Sequence, residues 1–274
     1  MAGPRRIVCL TEETTETLYL LGESERIVGI SGYTVRPPEA RREKPKVSAF
    51  TSAKLDEIVR LQPDLVLAFS DLQAEIVADL ARAGLEVHLF NQRSVAGILA
   101  MIRTLGRLVD AAVRADRLAD DLERRLARLA AEARPPRPRV YLEEWDEPLI
   151  SGIGWWSELV RIAGGDDVFL DRASSADAKG RIVQPAEVVA ARPELILASW
   201  CGKKVRTDRI AARPGWSAVP AVRDAAIVAI PSPLILQPGP AALTDGLDAL
   251  VAAVRRWQSR LTAAQVGADA HPRV

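Results

Sequence analysis

Two segments of the chain are near-copies of each other, and they restrict the architecture more than any other feature. Residues 55–70 read LDEIVRLQPDLVLAFS, and residues 185–200 read PAEVVAARPELILASW. Each copy predicts a helix that ends before a proline, because proline disfavours helical geometry in the preceding residue, and then a strand. A strand that is apolar on both faces is typical of a parallel sheet covered by helices. Unless two ordinary helix–strand units are alike by chance, the repeat predicts two similar lobes with a ligand cleft between them.

The composition is that of a globular protein with balanced charge. Of the 274 residues, 48% are hydrophobic and 27% are charged, with 37 lysines and arginines against 36 aspartates and glutamates. This balance does not favour a nucleic acid or an anionic membrane surface as a partner. No apolar run reaches the roughly 20 residues that a membrane span requires. We expect a monomer whose partner is a small molecule.

The amino-terminal sequence and the two cysteines bear on location. MAGPRR leads directly into the apolar strand IVCL, so no hydrophobic core of a signal peptide precedes Cys9. Cys9 and Cys201 fall in different predicted lobes, and a disulfide between them is therefore not expected. As written, the sequence predicts a cytoplasmic protein with reduced thiols. A start codon further upstream that encodes an export signal would make the protein periplasmic.

Secondary-structure patterns divide the chain into three parts. Strand and helix patterns alternate over residues 1–93 and again over 135–274, which is typical of α/β lobes with parallel sheets. Residues 94–134 between them lack a strand pattern, and their leucines recur at helical spacing. Residues 111–133 predict one helix about 35 Å long, uninterrupted by glycine or proline. The predicted fold is two Rossmann-like α/β lobes with parallel sheets, joined by a single long helix.

Five motifs in order resemble those of the substrate-binding proteins of ABC importers for cobalamin and iron–siderophores, especially the cobalamin binders. The motifs are RIVCLTEETTETLYLLGESERIVGISGY, KVSAF with LDEIVRLQPDLVLA, SELVRIAGGDDVF, PAEVVAARPELILAS and LQPGPAALTDGLDAL. Together they cover residues 5–257. The resemblance implies a fold like that of class III periplasmic binding proteins, with a ligand bound between the lobes and no catalysis.

Glu12 and Glu13 are the first candidate ligand contacts. They lie in TEETTE, where the first predicted strand meets its helix. The carboxyl ends of parallel strands line the ligand crevice of α/β sheets, which places both side chains well. Carboxylates in a first helical turn are also favoured by the helix dipole alone, so a purely structural role stays open.

Aromatic side chains end three predicted strands of the first lobe. They are Tyr33, Phe50 and Phe69, and Ser70 follows directly as a further candidate. By the resemblance, these aromatic positions are those at which cobalamin binders place rings against the corrin. A large flat ligand requires rigid apolar area of this kind, although core packing is the alternative.

The second lobe concentrates tryptophans and carboxylates after its first strand. We expect Trp145 and Trp200 to face the ligand, because indole combines a broad apolar surface with one donor. Of the adjacent pair Trp155 and Trp156, one is expected to pack inward, because neighbours on a helix point in different directions. The candidate ligand-binding residues of this lobe are Glu143, Trp145, Trp155, Trp156 and Trp200.

Cys201 and Gln237 complete the candidate ligand contacts. Cys201 ends a strand, where Lys203 and Lys204 are expected to lower the pKa of its thiol. No second cysteine or histidine accompanies it at a metal-ligand spacing, and His88 alternates within a strand as a structural residue does, so no metal site is predicted. Gln237 lies in a proline-rich loop that, by the resemblance, carries a polar ligand contact.

The resemblance also implies docking on a membrane permease through one acidic residue on each lobe. These acids lie in the helix that begins each repeat copy. In the first copy the position falls on Asp56, whereas in the second it falls on Ala186, with the acid displaced to Glu187. One residue along a helix is a rotation of about 100°. The sequence therefore does not favour an ABC permease as a standard docking partner.

The function predicted from the sequence is non-catalytic binding of a corrinoid, cobalamin or a precursor, with no catalytic cofactor. Signatures such as GxGxxG, the P-loop, HExxH and GxSxG are absent from the sequence. One alternative is a tetrapyrrole-handling enzyme or metal-insertion chaperone that uses Glu12, Glu13, Glu143 and Glu144. The other is a siderophore or haem binder, although anionic siderophores would favour several arginines at these strand ends.

Overall fold

The computed structural model describes residues 3–175 and 177–269. These residues form two compact units. One unit contains the chain up to residue 124 together with 237–241, and the other contains 125–236 and the chain from 242 onward. Within the described part of the chain, no helix has the length and apolarity needed to span a membrane.

The first unit is an α/β unit with one six-stranded sheet. Its strands are β1 (Ile7–Cys9), β2 (Ile27–Ser31), β3 (Lys46–Ala49), β4 (Ser52–Ala53), β5 (Leu65–Phe69) and β6 (Val87–Phe90). Its helices are α1 (Glu12–Leu20), α2 (Pro38–Glu43), α3 (Leu55–Arg60), α4 (Ala74–Arg82) and α5 (Val95–Leu108). The strand order is β4-β3-β2-β1-β5-β6, and every pair is parallel except β3 with β4. Strands β1 and β5 are buried at every position, as the continuous apolar runs predict.

The second unit repeats this plan with a five-stranded sheet. Its strands are β7 (Arg139–Asp146), β8 (Leu149–Ser151), β9 (Asp166–Asp167), β10 (Leu195–Ala198) and β11 (Ile227–Ala229). Its helices are α7 (Gly154–Ile162), α8 (Leu170–Ala173), α9 (Pro185–Ala191), α10 (Thr207–Ala211), α11 (Pro220–Arg223), α12 (Ser232–Ile235) and α13 (Leu247–Asp269). The order is β11-β10-β7-β8, with β9 also paired to β7, and only β8 is antiparallel. The predicted pair of parallel α/β lobes is therefore confirmed.

A long helix, α6 (Ala112–Glu132), contains the first boundary between the two units, at residue 124, in agreement with the predicted long helix that joins two lobes. The leucines at helical spacing predict a buried face of α6 made of leucines, and the buried face observed is different. The observed face is formed by Ala115, Ala119, Leu122 and Leu126. Small residues occupy its first half because α5 approaches closely there: a Cβ on Gly106 would lie 2.1 Å from the Cβ of Ala115.

Candidate ligand-binding site

Parallel pairing places the candidate residues of the first unit at one edge of its sheet. Strands β1, β2, β3 and β5 run in the same direction, so the residues that follow each strand meet at the carboxyl edge. Glu12 and Glu13 follow β1, and Tyr33 follows β2 with 54% of its surface exposed. Phe50 follows β3, half-buried, and Ser70 follows β5. The topology thus brings together residues that the sequence spreads over almost 60 positions.

Phe50 and Phe69 form an aromatic pair. The backbone groups of both residues are held by the side chain of Gln73, which is not among the residues predicted from the sequence. The ring centroids lie 6.5 Å apart with the planes tilted by 51°. The Gln73 side chain accepts a hydrogen bond from the Phe69 N–H at 2.9 Å and donates one to the Phe50 carbonyl at 2.9 Å. The Arg93 guanidinium lies 5.3 Å from the Phe69 centroid and donates to Asp71 at 2.8 Å. Gln73 and Arg93 are therefore structural supports of the aromatic pair.

Glu12 and Glu13 are buried in the first turn of α1. The backbone N–H of Val35 donates to Glu12 Oε2 at 3.1 Å, and the Thr11 hydroxyl donates to Glu13 Oε1. Burial raises the pKa of Glu12 to about 8, against the opposing effect of the Val35 N–H. Burial likewise raises the pKa of Glu13 to about 7, against the Thr11 hydrogen bond.

Gln237 is the one residue of its loop predicted as a ligand contact. In the structure it begins the segment 237–241, which is part of the first unit. The Gln92 side-chain amide donates to the Pro238 carbonyl at 2.9 Å, and the Ala241 N–H donates to Glu16 Oε2 at 3.0 Å. Gly239 lies against Glu13 so closely that a Cβ at residue 239 would be 2.5 Å from the Glu13 Cβ. Glycine is therefore required at this position by close approach. Gln237 itself is half-buried.

In the second unit, Glu143 is completely buried in an ion pair. It lies near the carboxyl end of β7, accepts bonds from both terminal nitrogens of Arg213, one of them at 2.9 Å, and accepts the Trp200 indole N–H at 3.1 Å. Burial raises the pKa of Glu143, while Arg213 and then Trp200 oppose the rise. Trp200, expected to face the ligand, is buried in this structure. Its role as a ligand contact stays a prediction.

Two further carboxylates of this edge, Glu144 and Asp146, are also paired with basic side chains. Glu144 accepts hydrogen bonds from both terminal nitrogens of the buried Arg181, at 2.5 and 3.0 Å. The Lys203 ammonium contacts Asp146 and lies 4.0 Å from the ring centroid of Trp145. Trp145 is half-buried and donates its indole N–H to the Glu147 carbonyl. The expected acidic edge is therefore neutralised by basic partners.

One expectation about the second unit is wrong, and another stays a prediction. Trp155 and Trp156 are both buried and, as neighbours on a helix, point about 100° apart, so which of them faces a ligand stays a prediction. Helix α7 is covered by α8, β9 and α13, so more than one side of it is interior. Lys203 and Lys204 do not lower the pKa of Cys201; desolvation, and then the nearby Glu144 carboxylate, raise it.

Cys9, Cys201 and His88 are the described cysteine and histidine positions, and His271 lies outside the described residues. Cys9 and Cys201 are both free, as expected from their separation in sequence. His88 lies within β6 with its ring centroid 4.3 Å from that of Phe90, and burial lowers its pKa. Among the described residues, no group of three or more His, Cys, Asp or Glu side chains is arranged to hold a metal ion.

The two candidate docking positions differ in their surroundings. Asp56 is exposed on α3, and the aligned Ala186 is exposed on α9. Glu187 accepts the Gln184 N–H at 2.7 Å and contacts Arg172, so its carboxylate caps α9. The Gln184 N–H and then Arg172 lower the pKa of Glu187. The displaced acid of the second copy is therefore engaged within its own unit.

Comparisons with known proteins agree with this architecture. The chain is 27% identical to a vitamin B12-binding protein of Vibrio parahaemolyticus over 198 residues, which are 71% of this chain and 70% of that protein. The periplasmic vitamin B12-binding protein of Vibrio cholerae has a similar structure, with a TM-score of 0.74, 22% identity and coverage of 94% and 99%. A periplasmic haem-binding protein of Roseiflexus sp. gives a TM-score of 0.77 at 25% identity, with coverage of 92% and 100%. The periplasmic binding protein family model matches residues 7–234, most of the sequence. This chain belongs to the periplasmic binding protein family.

Proposed function

We propose that this protein binds a corrinoid, cobalamin or a precursor, without catalysing a reaction. The family consists of solute-binding proteins, and relatives of this chain are vitamin B12-binding and haem-binding proteins. The observation that carries the proposal is the set of aromatic side chains at the carboxyl ends of the parallel strands. Tyr33, Phe50 and Trp145 retain exposed surface there. Aromatic rings of this kind suit an apolar face of a macrocycle.

The pairing of basic side chains supports a ligand with an uncharged periphery. Arg93 is paired with Asp71, and Arg213 with Glu143. Lys203 is paired with Asp146. An anionic siderophore or the two propionates of haem would compete with these carboxylates for their cations. The amide-rimmed corrin has no such requirement, because amides form hydrogen bonds with neutral partners.

Haem is the second candidate, and one observation favours it. The phenol of Tyr33 is the most exposed of the aromatic groups at the first edge, and tyrosine is a known axial ligand of haem iron. Tyr33→Phe removes the oxygen and keeps the ring. If haem is the ligand, this variant loses the absorbance of tyrosinate-ligated iron. If a corrinoid is the ligand, affinity changes little. Tyr19→Phe, on the same unit, is the matched control.

A panel of ligands tests the proposal. Purified protein is mixed with cyanocobalamin, cobinamide, haemin and a ferric hydroxamate, and binding is followed by absorbance and equilibrium dialysis. We expect binding of a corrinoid, recovered chemically unchanged, and about tenfold or greater weakening by Trp145→Ala if that ring stacks on the ligand. Binding of haemin or the hydroxamate alone would refute the proposal. Conversion of the corrinoid would instead support the enzyme or metal-insertion alternative.

We also propose that the protein does not dock on a permease through two equivalent acids. The exposed Ala186 at the aligned position and the internal contacts of Glu187 support this proposal. The cytoplasmic location stays a prediction, and fractionation of cells with an antibody to the native protein tests it. Recovery from the periplasm would contradict it.

A further inference from the structure

Three carboxylates lie within the first two turns of α1, and one nearby cation neutralises one of them. Glu12, Glu13 and Glu16 are all buried. Glu16 Oε1 accepts a hydrogen bond from the Arg36 guanidinium at 3.0 Å, and its Oε2 accepts the Ala241 N–H. Arg36 therefore compensates the charge of Glu16, whereas the Val35 N–H and the Thr11 hydroxyl, which donate to Glu12 and Glu13, are neutral.

Glu12 and Glu13 each have one oxygen without a partner. Glu12 is 3% exposed and Glu13 is 1% exposed. Glu12 Oε2 accepts a hydrogen bond from the Val35 N–H, and Glu13 Oε1 accepts one from the Thr11 hydroxyl. The other oxygens, Glu12 Oε1 and Glu13 Oε2, are buried and have no hydrogen-bond partner among the described residues. A buried anion with an unsatisfied oxygen is strongly disfavoured. A proton on that oxygen removes the charge and creates a donor.

The charges around Glu12 and Glu13 also favour the protonated, uncharged form of both acids. Burial has the largest effect on the pKa of Glu12, and the charges of Glu16 and then Glu13 raise this pKa further. Arg36 lowers the pKa of Glu12, but by less than burial raises it. Glu16 adds to the effect of burial on Glu13. Cys9, behind this turn, is itself neutral, since burial raises the pKa of its thiol to about 12.

We propose that Glu12 and Glu13 bind the ligand as uncharged carboxylic acids and select a neutral group that both donates and accepts, such as a primary amide. The acid O–H would donate to the amide carbonyl, and an amide N–H would donate to the acid carbonyl. This inference rests on the proposed ligand site at the first edge and names the chemistry that it recognises. A ligand carboxylate is disfavoured, because it cannot supply the N–H and repels any ionised fraction of the acids.

Both acids are covered in this structure by backbone of the same unit. Val35 donates to Glu12, and Gly239 lies against Glu13. Contact with a ligand therefore requires these two backbones to move. Each belongs to a segment with a candidate ligand residue, Tyr33 in one and Gln237 in the other. Binding at the acids would thus reposition both of those residues.

The charge state is tested first in the free protein. Infrared difference spectra between pH 6 and pH 10 should show a protonated carboxyl band that disappears as the pH passes about 7 to 8. The band should be reduced in Glu12→Gln and in Glu13→Gln. Glu16→Gln, the same chemical change on the same helix, should leave it in place. A wild-type spectrum without this band would overturn the inference whatever ligand the protein binds.

Recognition is tested with cobinamide as the probe. Wild-type affinity should fall about tenfold per pH unit between the pKa of Glu13 and that of Glu12, and about a hundredfold per pH unit above both, because only the form with both acids protonated binds. The Glu12→Gln/Glu13→Gln variant should bind within about threefold of wild type at pH 6 and lose the pH dependence, since glutamine is the neutral isostere. Equal loss of binding in this variant and in Glu12→Ala/Glu13→Ala would overturn the inference. If cobinamide fails to bind at every pH, the corrinoid proposal is refuted, and the infrared result still decides the charge state.

Discussion

Removal of Arg213 should destabilise the second unit strongly, because it leaves a buried carboxylate without its counterion. Glu143 has 0% exposed surface, and of its three hydrogen bonds only the one from Trp200 would remain. Breaking a buried ion pair by removing one partner costs about 3–5 kcal/mol. For a protein of this size each kcal/mol corresponds to about 2–4 °C in Tm, so Arg213→Ala should lower Tm by about 6–20 °C.

Thermal unfolding followed by circular dichroism measures this effect. Glu143→Gln in the Arg213→Ala background removes the uncompensated charge and should recover part of the loss. Arg223→Ala is the control within the same unit, since its ion pair with Asp224 is exposed, and it should leave Tm unchanged. An unchanged Tm in Arg213→Ala, or a double variant less stable than the single one, would refute the view that the pair neutralises a buried charge.

Three further predictions follow from other contacts. Stability should fall as pH rises from about 4.5 to 8, because the folded state holds the Glu12 and Glu13 protons more tightly than the unfolded state does. Glu12→Gln should reduce this dependence in urea titrations, and the part due to Glu13 should remain. Glu16→Ala should speed hydrogen exchange in 237–241, since Ala241 loses its acceptor, while Glu16→Gln should largely preserve protection. Neither Asp56→Ala nor Glu187→Ala should reduce cellular corrinoid uptake; loss of uptake in both variants would restore a standard importer role.

The repeat was sufficient to predict the architecture because local patterns determine its parts. Ile58 and Val188 occupy aligned positions, and both are buried. The apolar runs that follow become β5 and β10, parallel strands covered by helices. A continuous apolar strand has few other environments that can accommodate it. The carboxyl-edge location of Glu12 and Tyr33 then follows from the parallel topology.

The partners at the site could not be predicted in the same way. Arg213 lies 70 residues from Glu143, and Arg181 lies 37 residues from Glu144. No periodicity in the sequence connects them, since these contacts arise only when separate elements pack together. The burial of both Trp155 and Trp156 has the same origin, because α8, β9 and α13 cover more than one side of α7 and leave other positions, such as Glu158 and Arg161, exposed. Local pattern assigns a side chain to an element, and tertiary packing decides what it contacts.

Titration calorimetry with cobinamide at pH 6 tests the central claim most directly. The protein should bind one corrinoid with a Kd of about 1 µM or tighter, which corresponds to about −8 kcal/mol at 25 °C. Tyr33→Phe should keep this heat, and Trp145→Ala should reduce the affinity. No heat with cobinamide or cyanocobalamin, together with a saturable signal from haemin that Tyr33→Phe abolishes, would contradict the account and identify the protein as a haem binder.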